Sequence, residues 1–457
     1  VAMMHNGRAA RRQTLRAIRP QRSGALPLLV ACWAGAAAVM ALWWENTAVV
    51  HMDLAEWLTG AGRLTGLLAG YGIAIVVLLM ARVPALERRV GSDRVARWHA
   101  MSGRYAISLM IAHALLITGG YATQANSGFL PQLIDVVTDF PRMIEATIGT
   151  VLFLVIGFVS AGMVRRKLSY ETWYYLHLLT YVAVYLTFWH QLATGTEFVA
   201  NAAARTAWYV LYGGAGALLV WYRMLTPIRL NLRHRMRVES TVHEAPGVVS
   251  VLITGRRLHR LGAEPGQFFR WRFLTDGLRW SSNPYSLSAP PRPDLLRITV
   301  KANGEHSEAL SRLEPGTPVW AEGPYGAMTA ARRSQEKVLM IAGGAGITPM
   351  RALFETLPGE PGDLTLLYRA NKTEDLALWR ELREIASARG ARLLYAVNGP
   401  DGVRPEITPE RLRELLPDIG EHDVYVCGPT GLARQSYEAL REAGVPTRHI
   451  HHESFEM

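Results

Sequence analysis

His99-Ala100-Met101-Ser102-Gly103-Arg104-Tyr105-Ala106-Ile107-Ser108-Leu109-Met110-Ile111-Ala112-His113 is a largely apolar stretch with a histidine at each end. A second stretch, from His177 to His190, repeats the arrangement. An ionisable side chain inside a membrane span points to function by default. The first pair is 14 residues apart and the second 13, so each covers about 20 Å along a helix. That is roughly two thirds of a ~30 Å hydrocarbon core. Four histidines at two matched depths point to two stacked metal centres. Two haems, each bridging the two helices through bis-His ligation, are the simplest form. The plainer alternative is hydrogen bonding across helices. The angles are untidy: on an ideal helix 13 residues turn His190 ~140° away from His177. A bend or a π-bulge is therefore required in the second stretch.

Working outward, six apolar spans are expected, at 26–44, 62–83, 99–121, 145–164, 172–192 and 207–225. Arg and Lys gather in the N-terminal tail (a retained first helix is expected, not a cleaved leader), in 84–98, in 165–171 and after 225. With six spans these regions fall on one side, which places both termini in the cytoplasm and the chain in the inner membrane. The formal charge of +11 is therefore read as membrane topology, with no nucleic-acid partner. Two cysteines, Cys32 and Cys427, exclude a disulfide framework. Arg63 and Arg104 need an anionic partner if buried; a haem propionate would serve, and snorkelling to headgroups is the other reading. The outer loop 45–61 offers His51, Asp53 and Glu56 to a ferric complex.

From residue 227 the rhythm changes to that of a soluble protein. Strands are expected at 235–242, 248–253, 267–273, 295–301 and 318–321, separated by Pro-Gly turns, as in a small antiparallel barrel. Asn283-Pro284-Tyr285-Ser286 offers a ring and a hydroxyl to a flat cofactor, and the stretch from Lys301 to Ser307 offers donors to a diphosphate. Gly323-Pro324-Tyr325 closes this part. Then comes an α/β pattern: strands 337–342, 363–368, 391–396 and 423–427, with helices 349–357, 374–389, 408–415 and 430–443. Gly343, Gly344, Gly346, Thr348 and Pro349 lie between a strand and a helix, where glycines and free helix N–H groups suit a diphosphate. Cys427-Gly428-Pro429 follows another strand, with the thiol either facing a nicotinamide or filling the core. Arg369 and nearby Lys372 favour a 2′-phosphate, hence NADPH, with NADH also possible.

The fold class that results is multidomain: a helical membrane bundle, an antiparallel β-barrel and an α/β nucleotide-binding domain. The expected divisions are a basic tail 1–25, a membrane domain 26–226, a barrel 227–331 and a nucleotide domain 332–457.

These motifs together resemble the ferric reductase and NADPH oxidase superfamily over roughly residues 30–457. The resemblance implies two b-type haems, His99 with His177 and His113 with His190, fed by a ferredoxin-reductase-type FAD module. It implies FAD at Asn283–Ser286 and Ser307, although Asn283 stands where a basic or histidine residue is usual. It implies the nucleotide diphosphate at Gly343–Pro349, and catalytic roles near the transfer site for Cys427, Glu453 and Phe455, with Phe455 the aromatic that nicotinamide displaces. The function it implies is transmembrane electron transfer from NAD(P)H to an outer acceptor. A ferric chelate is preferred; dioxygen, giving superoxide, is the alternative. A haem-bearing, non-enzymatic assembly subunit or sensor is a third reading.

Overall fold

The computed structural model describes residues 25–47, 52–165, 167–168, 170–302, 304–399 and 405–454. Phe455 and His51 lie outside the described residues. The chain forms two compact units, Gly24–Val83 with Arg94–Met224, and Pro84–Asp93 with Leu225–Met457.

The first unit is helical: α1 (Ala25–Glu45), α2 (Leu54–Met80), α3 (Ser92–Gln124), α4 (Met143–Ser160), α5 (Tyr170–Leu178), α6 (Thr180–Thr194) and α7 (Ala202–Val220). Among the described residues four helices, corresponding to α1–α4, are long and apolar enough to cross a membrane. This gives the chain a multi-pass membrane character. Trp33, Phe158 and Val210 point outward, 73%, 68% and 68% exposed, which water would penalise and lipid would not. The fifth expected span is interrupted: Leu179 separates α5 from α6. There the Thr180 hydroxyl donates to the His177 carbonyl at 2.7 Å. The sixth is a 19-residue helix that carries Arg205 and three glycines. Asp53 and Glu56 form a capping box at the start of α2, each side chain accepting from the other's backbone N–H. These carboxylates therefore hold the helix terminus.

The second unit opens with helix α8 (Thr226–His234) and continues through β1 (Arg237–Ala245), β2 (Val248–Thr254), β3 (Phe268–Phe273), β4 (Asn283–Ser286), β5 (Leu295–Lys301) and β6 (Val319–Tyr325). They form two antiparallel sheets, ordered β1-β2-β5 and β4-β3-β6. Bridges at Arg237–Pro318 and Leu287–Ile298 link them. Alternation along β3 turns Phe269, Trp271 and Phe273 inward, all fully buried. Each contributes roughly 1.5–3 kcal/mol on burial. Asn231 of α8 donates to the Ala321 carbonyl at 3.0 Å and accepts from the Ala321 N–H at 2.8 Å, holding α8 to β6.

Beyond it lie β7 (Lys337–Gly343), α9 (Ile347–Thr356), β8 (Leu364–Ala370), α10 (Trp379–Arg389), β9 (Arg392–Val397), β10 (His422–Gly428), α11 (Thr430–Glu442) and β11 (Ile450–Ser454). The five strands form a parallel sheet ordered β11-β10-β7-β8-β9. β8 and β9 are added in turn on one side of β7, and β10 and β11 on the other, so β7 and β10 flank the switch point where such sheets bind ligands. The expected helix from 374 begins only at Trp379. A 3₁₀ turn and Leu378 at φ 59° fill the gap. An ion-pair network joins the sheets to the α/β part: Arg297 of β5 donates to both oxygens of Glu381 at 2.7 and 2.9 Å, and Arg351 of α9 donates to the same carboxylate at 2.8 Å. Burial pushes the Glu381 carboxyl up, but the hydrogen bonds and charge of Arg297, with the charge of Arg351, outweigh it and hold the group below its ordinary value.

Candidate functional site

The four histidines meet in pairs. The His99 and His177 ring centres lie 6.0 Å apart, and those of His113 and His190 lie 6.4 Å apart. Between His177 and His190 the helix is interrupted at Leu179. His113 Nδ1 is 2.7 Å from the Gly62 carbonyl and His99 Nδ1 is 3.2 Å from the Val76 carbonyl. A carbonyl only accepts, so in both rings Nδ1 carries the proton and Nε2 is the basic nitrogen. His177 Nδ1 is 3.3 Å from the Ser160 hydroxyl. His190 Nδ1 is buried without a partner.

Three glycines make this possible. Gly62, Gly66 and Gly70 recur every four residues on one face of α2. A Cβ on Gly66 would stand 2.5 Å from His113 Nδ1, and one on Gly62 would stand 2.9 Å from the backbone N of Ile117. The small face lets α3 approach closely enough for His113 to reach a backbone carbonyl. This Gly-x-x-x-Gly-x-x-x-Gly spacing was present in the sequence as a signal but was not read there.

The two arginines are placed differently. Arg63 is bonded through Nε at 2.8 Å and through Nη2 to Glu197, which is 2% exposed. Glu197 is thus an anionic partner for Arg63 from within the chain. Arg104 is exposed on α3, so its position does not impose the partner that a buried cation would need. Among the described residues no group of three or more His, Cys, Asp or Glu is arranged to hold a metal ion.

In the second unit, pairing places Ser286 opposite Phe268 and Pro284 opposite Arg270. These four share the face of β3–β4 away from the inward aromatics. Ser286 is 3% exposed and its hydroxyl has no partner. Such an orphan normally costs about 1–3 kcal/mol, and a bound group with an acceptor could satisfy it. Burial pushes the Tyr285 phenol up, so it stays a neutral O–H group. Asn283 pairs with Trp271. One step along the ladder Arg270, opposite Pro284, is half-buried, with Nη2 donating to the Ser282 carbonyl at 2.7 Å. Sequence reading missed Arg270 because only the register reveals it. Gly323 is required where it stands: a Cβ would lie 2.7 Å from the Phe269 ring at φ 148°. The Tyr325 ring lies 5.8 Å from that of Phe268. Glu453 of β11 accepts from the Ala327 N–H at 2.9 Å and pairs with Cys427.

At the switch point, Gly343 and Gly428 end neighbouring strands. A Cβ on Gly346 would stand 2.0 Å from the Cys427 carbonyl oxygen, so only glycine fits. Thr348 donates to the Ala345 carbonyl at 2.8 Å, holding the loop, and Pro349 lies buried in α9. Pro429 precedes α11. Gly344, Ala345 and Thr348 line a crevice with Lys301 and Asp375, and those last two pair at 3.6 Å. Ser307 donates to the Gly304 carbonyl at 2.9 Å. The Cys427 side chain is fully buried in the core cluster with Met340 and Leu366. Arg369 donates to the Pro405 carbonyl at 2.6 Å, and Lys372 is exposed.

Comparison with known proteins finds two family models along the chain. A family model described as "Ferric reductase like transmembrane component" matches residues 65–188, and one described as "Oxidoreductase NAD-binding domain" matches 340–437. The stachydrine N-demethylase reductase subunit Stc4 of Rhizobium meliloti is 31% identical over 225 residues, 46% of this chain and 64% of that protein. The glycine betaine monooxygenase reductase subunit of Chromohalobacter salexigens is 28% identical over 240 residues, 49% of this chain and 65% of that protein. The chain thus spans just under two thirds of the length of these two relatives. The ferredoxin–NADP reductase B of Sorangium cellulosum is 35% identical over 191 residues, 38% of this chain and 77% of that protein. Through its C-terminal half the chain belongs to the ferredoxin–NADP reductase family, as a NAD(P)H-dependent, FAD-binding oxidoreductase module fused to a ferric-reductase-like transmembrane component.

Proposed function

We propose that this chain carries electrons from a cytoplasmic nicotinamide across the membrane to an outer acceptor, through FAD and two haems. The observation that carries the reading is the separation of the histidine rings. Two imidazoles sharing one metal, each at a bond of about 2.0–2.1 Å, would hold their ring centres about 6.3 Å apart. The pairs lie at 6.0 and 6.4 Å. Nδ1 of His99 and His113 is tied to a carbonyl, which leaves Nε2 for the metal and raises its basicity. His99 with His177 would hold the inner haem, and His113 with His190 the outer one.

In this reading six spans cross the inner membrane with both termini in the cytoplasm. Residues 26–226 form the haem domain, 227–331 the FAD barrel and 332–457 the nucleotide domain. Ser286 would donate to the flavin, Arg270 would face its diphosphate, and Gly343–Pro349 would cradle the nucleotide. Bound there, FAD would take a hydride and release single electrons, which the haems would relay. Arg369 and Lys372 favour NADPH over NADH. A ferric chelate is the preferred acceptor, on the likeness of residues 65–188 to the ferric reductase component.

The test is the purified full chain in sealed vesicles, with haem quantified and NADPH supplied on the cytoplasmic face. Two haems per chain, reduced by NADPH and reoxidised faster by ferric citrate than by air, are expected. His99→Leu and His177→Leu should each remove one spectral centre, and His113→Leu and His190→Leu the other. Absence of haem overturns the reading; fast reoxidation by air with superoxide overturns the choice of acceptor.

A further inference from the structure

The inner histidine pair carries a stack of side chains on its own side of the bundle. The Arg165 guanidinium carbon lies 4.5 Å from the centre of the Trp173 ring. That ring lies 5.1 Å from the His177 ring, tilted by only 22°. The indole N–H of Trp173 donates to the Ser160 hydroxyl oxygen at 3.3 Å, and the same oxygen is 3.3 Å from His177 Nδ1. Trp173 and His177 are four residues apart in α5, hence on one helix face.

These contacts answer a need of the local structure. Helix α5 has nine residues and is interrupted at Leu179, too short for its own hydrogen-bond ladder to hold it firmly. A ligand on such a helix needs support from elsewhere. An indole N–H can only donate, so Ser160 must accept from Trp173. If His177 binds metal through Nε2, its Nδ1 carries the proton and Ser160 accepts that one too. The stack thereby fixes both the ring plane and the tautomer. The guanidinium lies against the electron-rich indole face, which brings a cationic side chain close to His177.

We propose that Trp173, Ser160 and Arg165 are positioning residues for the inner centre. Trp173 and Ser160 orient His177, and the charge of Arg165 favours the reduced state of the metal that His177 binds. This rests on the two-haem reading. An electron arriving from the flavin side would then meet an inner centre that accepts it more readily.

The experiment is a potentiometric titration of the purified full chain, followed optically, together with low-temperature electron paramagnetic resonance of the oxidised haems. Arg165→Gln should lower the midpoint of one haem by about tenfold in its reduction equilibrium, ~59 mV for one electron, and leave the other unmoved. Arg165→Lys should restore most of it. Trp173→Leu and Ser160→Ala should shift the low-field resonance of that same haem, with Trp173→Phe intermediate because it keeps a ring and loses the N–H. Two intact haems that ignore both Arg165→Gln and Trp173→Leu, or that move together, overturn this inference alone. A wild-type protein without haem overturns the haem reading and this inference with it.

Discussion

Gly346 lies against the main chain of Cys427, so close that a Cβ would stand 2.0 Å from its carbonyl oxygen and 2.8 Å from the N of Gly428. The obstruction is backbone on both sides and no rotamer relieves it. Gly346→Ala must therefore push the nucleotide loop away from the end of β10. The expected outcome is a rise of tenfold or more in the KM for NADPH, with FAD content unchanged, read from dye reduction by the purified chain.

The Ser286 hydroxyl separates ligand binding from folding. It is buried and unpaired, so its removal relieves an unsatisfied group. Ser286→Ala should leave the thermal stability of the flavin-free protein unchanged or raise it slightly. It should weaken FAD binding by about tenfold, the worth of about one hydrogen bond. Parallel thermal melts and flavin-fluorescence titrations check both halves.

Glu381 gives the fold an acid limit. Its carboxyl is held below the ordinary value, so the folded state binds fewer protons than the unfolded chain. The stabilisation is complete above the unfolded value, about 4.3, and is lost as the pH falls through the depressed one. Glu381→Gln should cost about 2 kcal/mol at pH 7, after discounting for its partial exposure. Melts of wild type and variant should converge as the pH is lowered through the depressed value of the folded state.

Arg63 and Glu197 test whether the pair serves itself or a cofactor. Glu197 is 2% exposed, so Arg63→Leu leaves a buried carboxylate alone, at a cost of about 3–5 kcal/mol. The double variant Arg63→Leu/Glu197→Leu should recover most of that and retain both haems. If the double variant folds but loses one haem, Arg63 has a further partner on the cofactor.

Much of the second unit was readable from the sequence because short apolar runs broken by Pro-Gly turns carry both period and boundary. Strand β11 was not: Ile450-His451-His452-Glu453-Ser454 is polar and short, and only pairing with β10 makes it a strand. The placing of Arg270 and the burial of Cys427 depend on register and on which sheet face a residue takes, which composition does not reveal. In the membrane unit, spacing identified the four histidines and the need for a bend. It could not say that Thr180 would take the His177 carbonyl, or that Glu197 would answer Arg63 from 134 positions away.

The bonds His113–Gly62 and His99–Val76 have a consequence for distance. Between the two histidines and between their two acceptors the chain counts the same 14 residues, in opposite directions. Helices α2 and α3 therefore act as a ruler with matching marks, about 21 Å long. Deleting one residue from either helix between the marks would keep one bond and break the other. The gap between the two levels is thus a dimension written into the polypeptide, to which any bound group must conform.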